Sequence, residues 1–156
     1  MTLLASKLAD ELKALGLYST EPAAINAWAN AFNNYFTDAM SNAVPIAPGA
    51  LPAAKAAMIS AMVGLSTSAG PVSLQASIVA YWGSLIPATA WPTVTVITPP
   101  VLLAGLTATL VSVFAANITS KASKNDSMTA IANAIHAANV GGIAVWPVPI
   151  GPQPIV

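Results

Sequence analysis

Apolar residues recur at helical spacing along most of this chain, and the pattern is clear from its start. Leucines fall on one stripe of a first helix, with charged residues between them, at Leu4, Leu8, Leu12 and Leu15. Thr20 is the expected N-cap of a second helix, because Glu21 and Pro22 follow it and both are favoured in a first helical turn. We expect this second helix to continue to about Asn42.

Prolines and glycines divide the middle of the chain into further helical segments. Pro52 and Pro71 each suit the first turn of a helix, and the segments that they open end near Gly64 and Leu85. The loop between these two segments is rich in serine, threonine and glycine, which favours a flexible connection. The pattern therefore predicts a third and a fourth helix.

The second half of the chain predicts two more helices and one extended segment. Residues 101–118 form a long apolar helix after two prolines, and the segment 123–126 is a variant of the capping box that starts a sixth helix. The β-branched run 94–97 could form a short strand, but no second strand is evident to pair with it. We therefore predict an extended connection there. The long helix is expected at the centre of the bundle, because it is apolar all round.

The C-terminal segment, residues 143–156, differs from everything before it. Its last ten residues include four prolines, which exclude a helix and favour extended backbone. Its other residues are largely apolar, unlike those of a disordered tail. The candidate interface anchors are Trp146, Val148, Ile150 and Ile155. The segment is expected to dock as an arm, either on a neighbouring subunit or back on its own helices.

These elements together predict an all-α fold. About six helices would form a compact bundle over residues 1–142, and an extended proline-rich arm would cover residues 143–156. A chain of 156 residues is long enough for one such domain to bury most of its apolar surface.

Charge is almost absent from this chain. It has five basic and five acidic residues, and none of them lies between residues 56 and 120. A soluble domain normally devotes about a quarter of its residues to charge, and uncharged apolar surface usually lies against a partner. Zero net charge without a basic patch argues against nucleic-acid binding. The composition therefore indicates a component of a larger assembly, present in several copies.

Side chains that carry out catalysis or bind metals are scarce. There is no cysteine, and the single histidine, His136, is almost three helical turns from the nearest acid in sequence, Asp126. The hydroxyl-rich run 66–68 lacks a nucleophile elbow, and the glycines lack phosphate-binding spacing. The sequence therefore predicts a non-enzymatic protein with no catalytic residue, cofactor, metal site or small-molecule substrate.

A membrane protein is the main alternative. Segment 101–118 is uncharged and 18 residues long, at the lower limit for a membrane span, and Ala104 and Ala108 would suit close helix packing in lipid. The two prolines before it, its scattered polar residues and the lack of an asymmetric basic flank favour a soluble helix. A small membrane-associated helical protein, holin-like or pore-forming, is thus the less favoured alternative.

Short motifs in the second half of the chain carry a family resemblance. They are Ile97-Thr98-Pro99-Pro100, Phe114-Ala115-Ala116-Asn117, Ala134-Ile135-His136-Ala137 and Gly141-Gly142. Over about residues 45–156, these motifs and the composition resemble small, mostly uncharacterised virion structural proteins of tailed bacteriophages, especially contractile-tailed phages. The resemblance carries no functional residue set.

That resemblance implies a location and a set of partners. The chain would be a structural subunit of the head–tail connector, tail, baseplate or capsid surface, assembled in the host cytoplasm and located in the virion. Its expected partners are other virion proteins and copies of itself, bound through protein–protein contacts.

Overall fold

The computed structural model describes residues 3–156, apart from the side chain of Ala88; residues 1 and 2 of the predicted helical domain lie outside the described residues. Helices make up most of the described chain. They are α1 (Ala5–Lys13), α2 (Glu21–Phe36), α3 (Leu51–Ala61), α4 (Gly70–Gly83), the single turn α5 (Pro87–Ala90), α6 (Leu106–Ser120) and α7 (Lys124–Asn139). Short 3-10 helices, Pro48–Ala50 and Val101–Gly105, lead directly into α3 and α6.

Five short strands form one antiparallel sheet in the described part of the chain. They are β1 (Met40–Ser41), β2 (Val44–Pro45), β3 (Val96–Thr98), β4 (Gly142–Trp146) and β5 (Gly151–Ile155). Their order in the sheet is β2-β1-β5-β4-β3. The fold is therefore mixed α and β, and the predicted all-α bundle is wrong. Strands of two to five residues leave too little alternating pattern to be visible in a sequence.

The sheet accounts for the two segments that were predicted to be unpaired and extended. Residues 94–97 were expected to lack a partner strand, but Val96 in β3 pairs with Val145 in β4. The predicted C-terminal arm is also corrected, because β4 and β5 form a hairpin within the sheet of this same chain. The second helix, expected to reach Asn42, ends at Phe36, since Met40 already belongs to β1.

Two prolines lie in the middle of this sheet, in a position that usually excludes them. Val156 and Met40 exchange backbone hydrogen bonds of 2.8 and 2.9 Å, so the backbone of residue 156 faces β1. Alternate residues of a strand face the same neighbour, and Pro154 and Pro152 therefore also face that side. Because β1 is only two residues long, neither proline has a strand opposite its missing N–H.

The hydrophobic core is centred on aromatic rings of α2 and α4. Phe32 lies 5.0 Å from Tyr81 in an edge-to-face arrangement, and Phe36 lies 5.1 Å from Trp82 in the same geometry. Such pairs are worth about 0.5–1.5 kcal/mol beyond the area they bury. The core continues to the C-terminus, where Ile155 is fully buried.

Trp82 joins three elements of this core. Its Nε1 donates a 2.7 Å hydrogen bond to Oδ1 of Asn139, the last residue of α7. Its ring also lies against Gly142 at the start of β4, where a Cβ atom would be only 2.5 Å from the ring carbon Cη2. Only glycine fits at this position without displacing the indole ring.

A lysine joins the start of α7 to the end of α1. Lys124, in the first turn of α7, donates from Nζ to the backbone carbonyls of Lys13, at 2.9 Å, and of Leu15. These carbonyls belong to the last residue of α1 and to the segment just after it. A cation there pairs with carbonyls that lack a helical partner and interacts favourably with the negative end of the helix dipole. Helices α1 and α7 also pack closely along their lengths.

Replacing Gly142 with alanine should destabilise the protein. We expect Gly142→Ala to lower the free energy of unfolding by about 1–3 kcal/mol, because the new methyl group overlaps a rigid, buried ring. Gly83 ends α4 with open space around it, so the matched variant Gly83→Ala should be neutral or raise stability by up to about 1 kcal/mol. Urea denaturation of both variants checks this; equal effects would contradict the packing argument.

Replacing Ala43 with glycine should stabilise the β1–β2 hairpin. Asn42 and Ala43 both have positive φ, 51° and 60°, which is the pattern of a type I′ turn. A left-handed conformation costs an alanine about 1–2 kcal/mol, and part of the relief is offset by the greater freedom of unfolded glycine. We expect Ala43→Gly to raise the free energy of unfolding by about 0.5–1 kcal/mol.

The control for this variant is Ala47→Gly. Ala47 has a φ of −71°, so the same substitution there only adds freedom to the unfolded chain and should destabilise. Thermal melts of the two variants should shift in opposite directions. A destabilised Ala43→Gly would show that the turn does not have this conformation in solution.

Candidate functional site

Helix α6 lies at the surface of the molecule. Leu103, Leu106 and Leu110 anchor one side of the segment Val101–Ser120 in the core. Only 17% of the most apolar 18-residue window of this segment is buried. The expectation of a central helix surrounded on all sides is therefore wrong, since α6 packs mainly on α4 and α7 and leaves its other face open.

The open face of this segment carries a continuous stripe of apolar residues. All its members are exposed and follow one another at alternating spacings of three and four: Val101, Ala104, Ala108, Val111, Ala115 and Ile118. This is the spacing at which one helix packs against another. Val101 is 87% exposed and Ile118 is 78% exposed. We call these six residues the α6 stripe.

Three hydroxyl groups beside the α6 stripe are already satisfied within the helix. The hydroxyls of Thr109, Ser112 and Thr119 donate to the backbone carbonyls four residues earlier, at 3.3, 3.1 and 2.9 Å. A hydroxyl that donates to its own helix has an acceptor for its proton and needs no new one when a partner displaces water. This face can therefore be covered by a partner without leaving these hydroxyls unpaired.

A groove of about 340 Å³ adjoins the stripe between α4 and α6. Its apolar wall is formed by Trp28, Leu65, Pro71, Leu74, Val111 and Phe114. Thr67 and Ser68 of the loop before α4 add hydroxyl groups to its rim. Among residues 3–156, no charged residue lines this groove. The groove is thus suited to an uncharged, largely apolar group.

The C-terminal hairpin divides the four predicted interface anchors into two pairs. Trp146 and Ile155 are buried in their own chain, and Trp146 Nε1 donates a 3.0 Å hydrogen bond to Ser41 Oγ. Val148 and Ile150 lie in the turn between β4 and β5, where they are 93% and 43% exposed. The structure therefore does not bring the four together, and only the pair in the turn is available to a partner.

Six of the ten charged residues lie on α1 or bind to it: Lys7, Asp10, Glu11, Lys13, Asp38 and Lys124. Lys7 pairs with Asp38 at 2.8 Å, and Lys124 of α7 caps the end of α1. Glu11 accepts a hydrogen bond from Asn34 of α2 at 3.1 Å. The long uncharged stretch supplies α4 and α6, so the α6 stripe and the groove residues on these helices carry no charge, although Lys121 directly follows α6.

His136 forms the most distinctive polar pair of the molecule. Its Nδ1 lies 2.8 Å from the hydroxyl of Tyr35, which is fully buried. Burial raises the pKa of Tyr35 well above its usual value, so the phenol keeps its proton and can donate to the imidazole. Burial also lowers the pKa of His136, which favours the neutral ring. The pair is a core hydrogen bond between α2 and α7.

No group of three or more metal-binding side chains comes together within residues 3–156. The α6 stripe, the groove and the hairpin turn are exposed apolar features of the described residues. The sequence predicted Val148 and Ile150 of the turn as interface anchors, which stays a prediction, and it predicted neither the α6 stripe nor the groove.

No protein-family model matches this chain, and no curated protein or solved structure is significantly similar to it.

The stability of the protein should fall when His136 becomes protonated. Its pKa is lowered in the folded state, so the unfolded chain binds more protons and stability is lost as the pH falls below about 6.5, the ordinary histidine value. His136→Gln should remove this loss between about pH 5 and 7, because the chain has no other histidine. Denaturation curves at several pH values measure it.

Tyr35→Phe is the matched control for the pH experiment. It removes the hydrogen bond but keeps the partly buried histidine, so the fall in stability at low pH should persist. If His136→Gln showed the same pH dependence as the unmodified protein, another group would be responsible.

Proposed function

We propose that this chain is a non-enzymatic structural subunit of a tailed bacteriophage particle and acts through protein–protein contacts. The head–tail connector, tail, baseplate and capsid surface are all compatible positions. Its partners would be other virion proteins and copies of itself. The resemblance of residues 45–156 to small phage virion proteins directs the proposal to this class of particle.

One observation carries the proposal: an uncharged, apolar helix face is held open at the surface of a folded domain. The segment Val101–Ser120 is 17% buried over its most apolar window, and the whole run from residue 56 to residue 120 contains no charge. Monomeric soluble proteins rarely expose contiguous apolar surface of this kind. A helix of 20 residues is about 30 Å long, which gives a partner a long contact line.

Membrane association is the second candidate, and the same helix favours it. Val101–Ser120 is long and apolar enough to cross a bilayer. In the folded structure, however, this segment is held on the domain. Leu110 is fully buried, and Gln75 Oε1 accepts a 2.7 Å hydrogen bond from the backbone N–H of Thr107 at the start of α6. Spanning would break these contacts, so a covered protein interface fits the structure better.

Co-sedimentation with phage particles tests the proposal. The chain should remain at constant stoichiometry with intact virions through density-gradient purification, as measured by mass spectrometry. Recovery only from detergent-solubilised membranes, with flotation of the purified chain on neutral phosphatidylcholine vesicles, would instead establish the second candidate. Absence from both fractions would overturn both.

A charge placed on the α6 stripe should weaken incorporation into particles. Ile118→Lys buries an unpaired ammonium in any contact made by the stripe, and we expect incorporation to fall about tenfold or more. A lysine near the end of α6 also suits the helix dipole, so the fold should persist. Leu17→Lys, at a fully exposed loop position, is the matched control and should be incorporated normally.

A further inference from the structure

The hairpin turn and the groove are complementary features of the same chain. We propose that the turn Pro147–Ile150 of one copy inserts into the groove beside α6 of a second copy. This inference rests on the proposed function, because it supplies the contact by which a structural subunit would be repeated. The groove is a different surface from the α6 stripe, and Val111 is the residue that belongs to both.

The groove has room for the side chains of the turn. A dry cavity of about 150 Å³ holds one benzene molecule, and the groove measures about 340 Å³. Two branched aliphatic side chains, such as those of Val148 and Ile150, suit a space of that size. Trp28 and Phe114 give the groove flat apolar walls, which favour aliphatic contacts.

The turn is a preformed apolar knob. Its Ile150 N–H donates to the Pro147 carbonyl at 3.0 Å, and Gln153 Nε2 donates to the Ile150 carbonyl at 3.3 Å. Val148 is 93% exposed at its apex. With this conformation already held by hydrogen bonds and two proline rings, little backbone freedom is lost on binding.

Donors and acceptors also match between the two surfaces. Prolines at positions 147 and 149 have no N–H, and the carbonyls of Val148 and Pro149 accept no hydrogen bond from any residue that the structure describes. At the groove rim, Ser68 donates to no described group through its hydroxyl or its backbone N–H. The groove thus offers free donors, and the knob offers free acceptors.

Neither surface carries a charge that would have to be desolvated. The groove-lining segments of α4 and α6 lie within the uncharged stretch 56–120, and no charged side chain follows Asp126. Burial of apolar groups is therefore not opposed by the large penalty for dehydrating an ion. A partner with acidic or basic anchors would gain no ion pair in this groove.

A contact between two different patches has a consequence for assembly. Because the knob and the groove are formed by different residues of one chain, each copy can bind one neighbour through its knob and another through its groove. Such a head-to-tail contact generates a closed ring or an open filament, depending on the rotation between copies. Both arrangements suit a repeated structural subunit.

Two single variants test the contact in the purified 156-residue chain. Val148→Asp places a carboxylate on the knob, and Val111→Asp places one on the groove wall at a residue that is 52% exposed. Each should weaken self-association about tenfold or more, as measured by analytical ultracentrifugation. Leu17→Asp, at a fully exposed loop position, is the control and should self-associate normally.

Mixing the two variants gives the decisive result. The Val148→Asp chain keeps an intact groove and the Val111→Asp chain keeps an intact knob, so an equimolar mixture should form one-to-one heterodimers and no longer species. Circular dichroism and thermal melts of each variant alone verify that it is folded. No heterodimer formation between two folded variants would overturn the head-to-tail contact.

The remaining outcomes separate this inference from the proposed function. A chain that occurs in virions but is monomeric when purified, and whose incorporation depends on Val148, would use the knob on another virion protein, which overturns the second copy as occupant. Self-association through the knob by a chain absent from particles would support the contact and refute the phage role. Self-association unaffected by either aspartate would overturn the contact alone.

Discussion

The contact between Trp82 and Gly142 determines how the helical and sheet parts of this protein meet. The indole ring occupies the space that a side chain at residue 142 would need, and its N–H is bound to Asn139 one turn earlier in the chain. The end of α7 and the start of β4 are therefore held against α4. Because β4 lies between β3 and β5, this close approach holds the middle of the sheet on the core.

Helices were predictable where a local signal marks them, and the sheet was not. Thr20 and Ser123 each accept a hydrogen bond from the N–H three residues later, which is the capping chemistry visible in the sequence. The strands depend on partners far away along the chain, as in the pairing of Ser41 with Ile155. The prolines of β5 argue against a central strand until it is known that β1 is too short to lie opposite them.

The sequence indicated that an uncharged surface would contact a partner, but not which residues form that surface. Low charge indicated a partner, yet an apolar helix such as α6 gives no sign of which face the core takes. Only its neighbours decide that Leu106 is buried and Val111 is half exposed. The four C-terminal anchors do not form one exposed surface for a related reason. A hairpin places strand residues such as Trp146 in the core and turn residues such as Val148 in solvent.

The gathering of charge around α1 makes this domain a folded amphiphile. Asp10 of α1 exposes its carboxylate to water, while α6 presents an apolar face that water solvates poorly. A molecule of this kind has a preferred orientation at any boundary between an aqueous and an apolar phase, before a specific contact forms. A copy that meets a partially built assembly is thus expected to approach with its charged region toward the solvent and its α6 face toward the assembly.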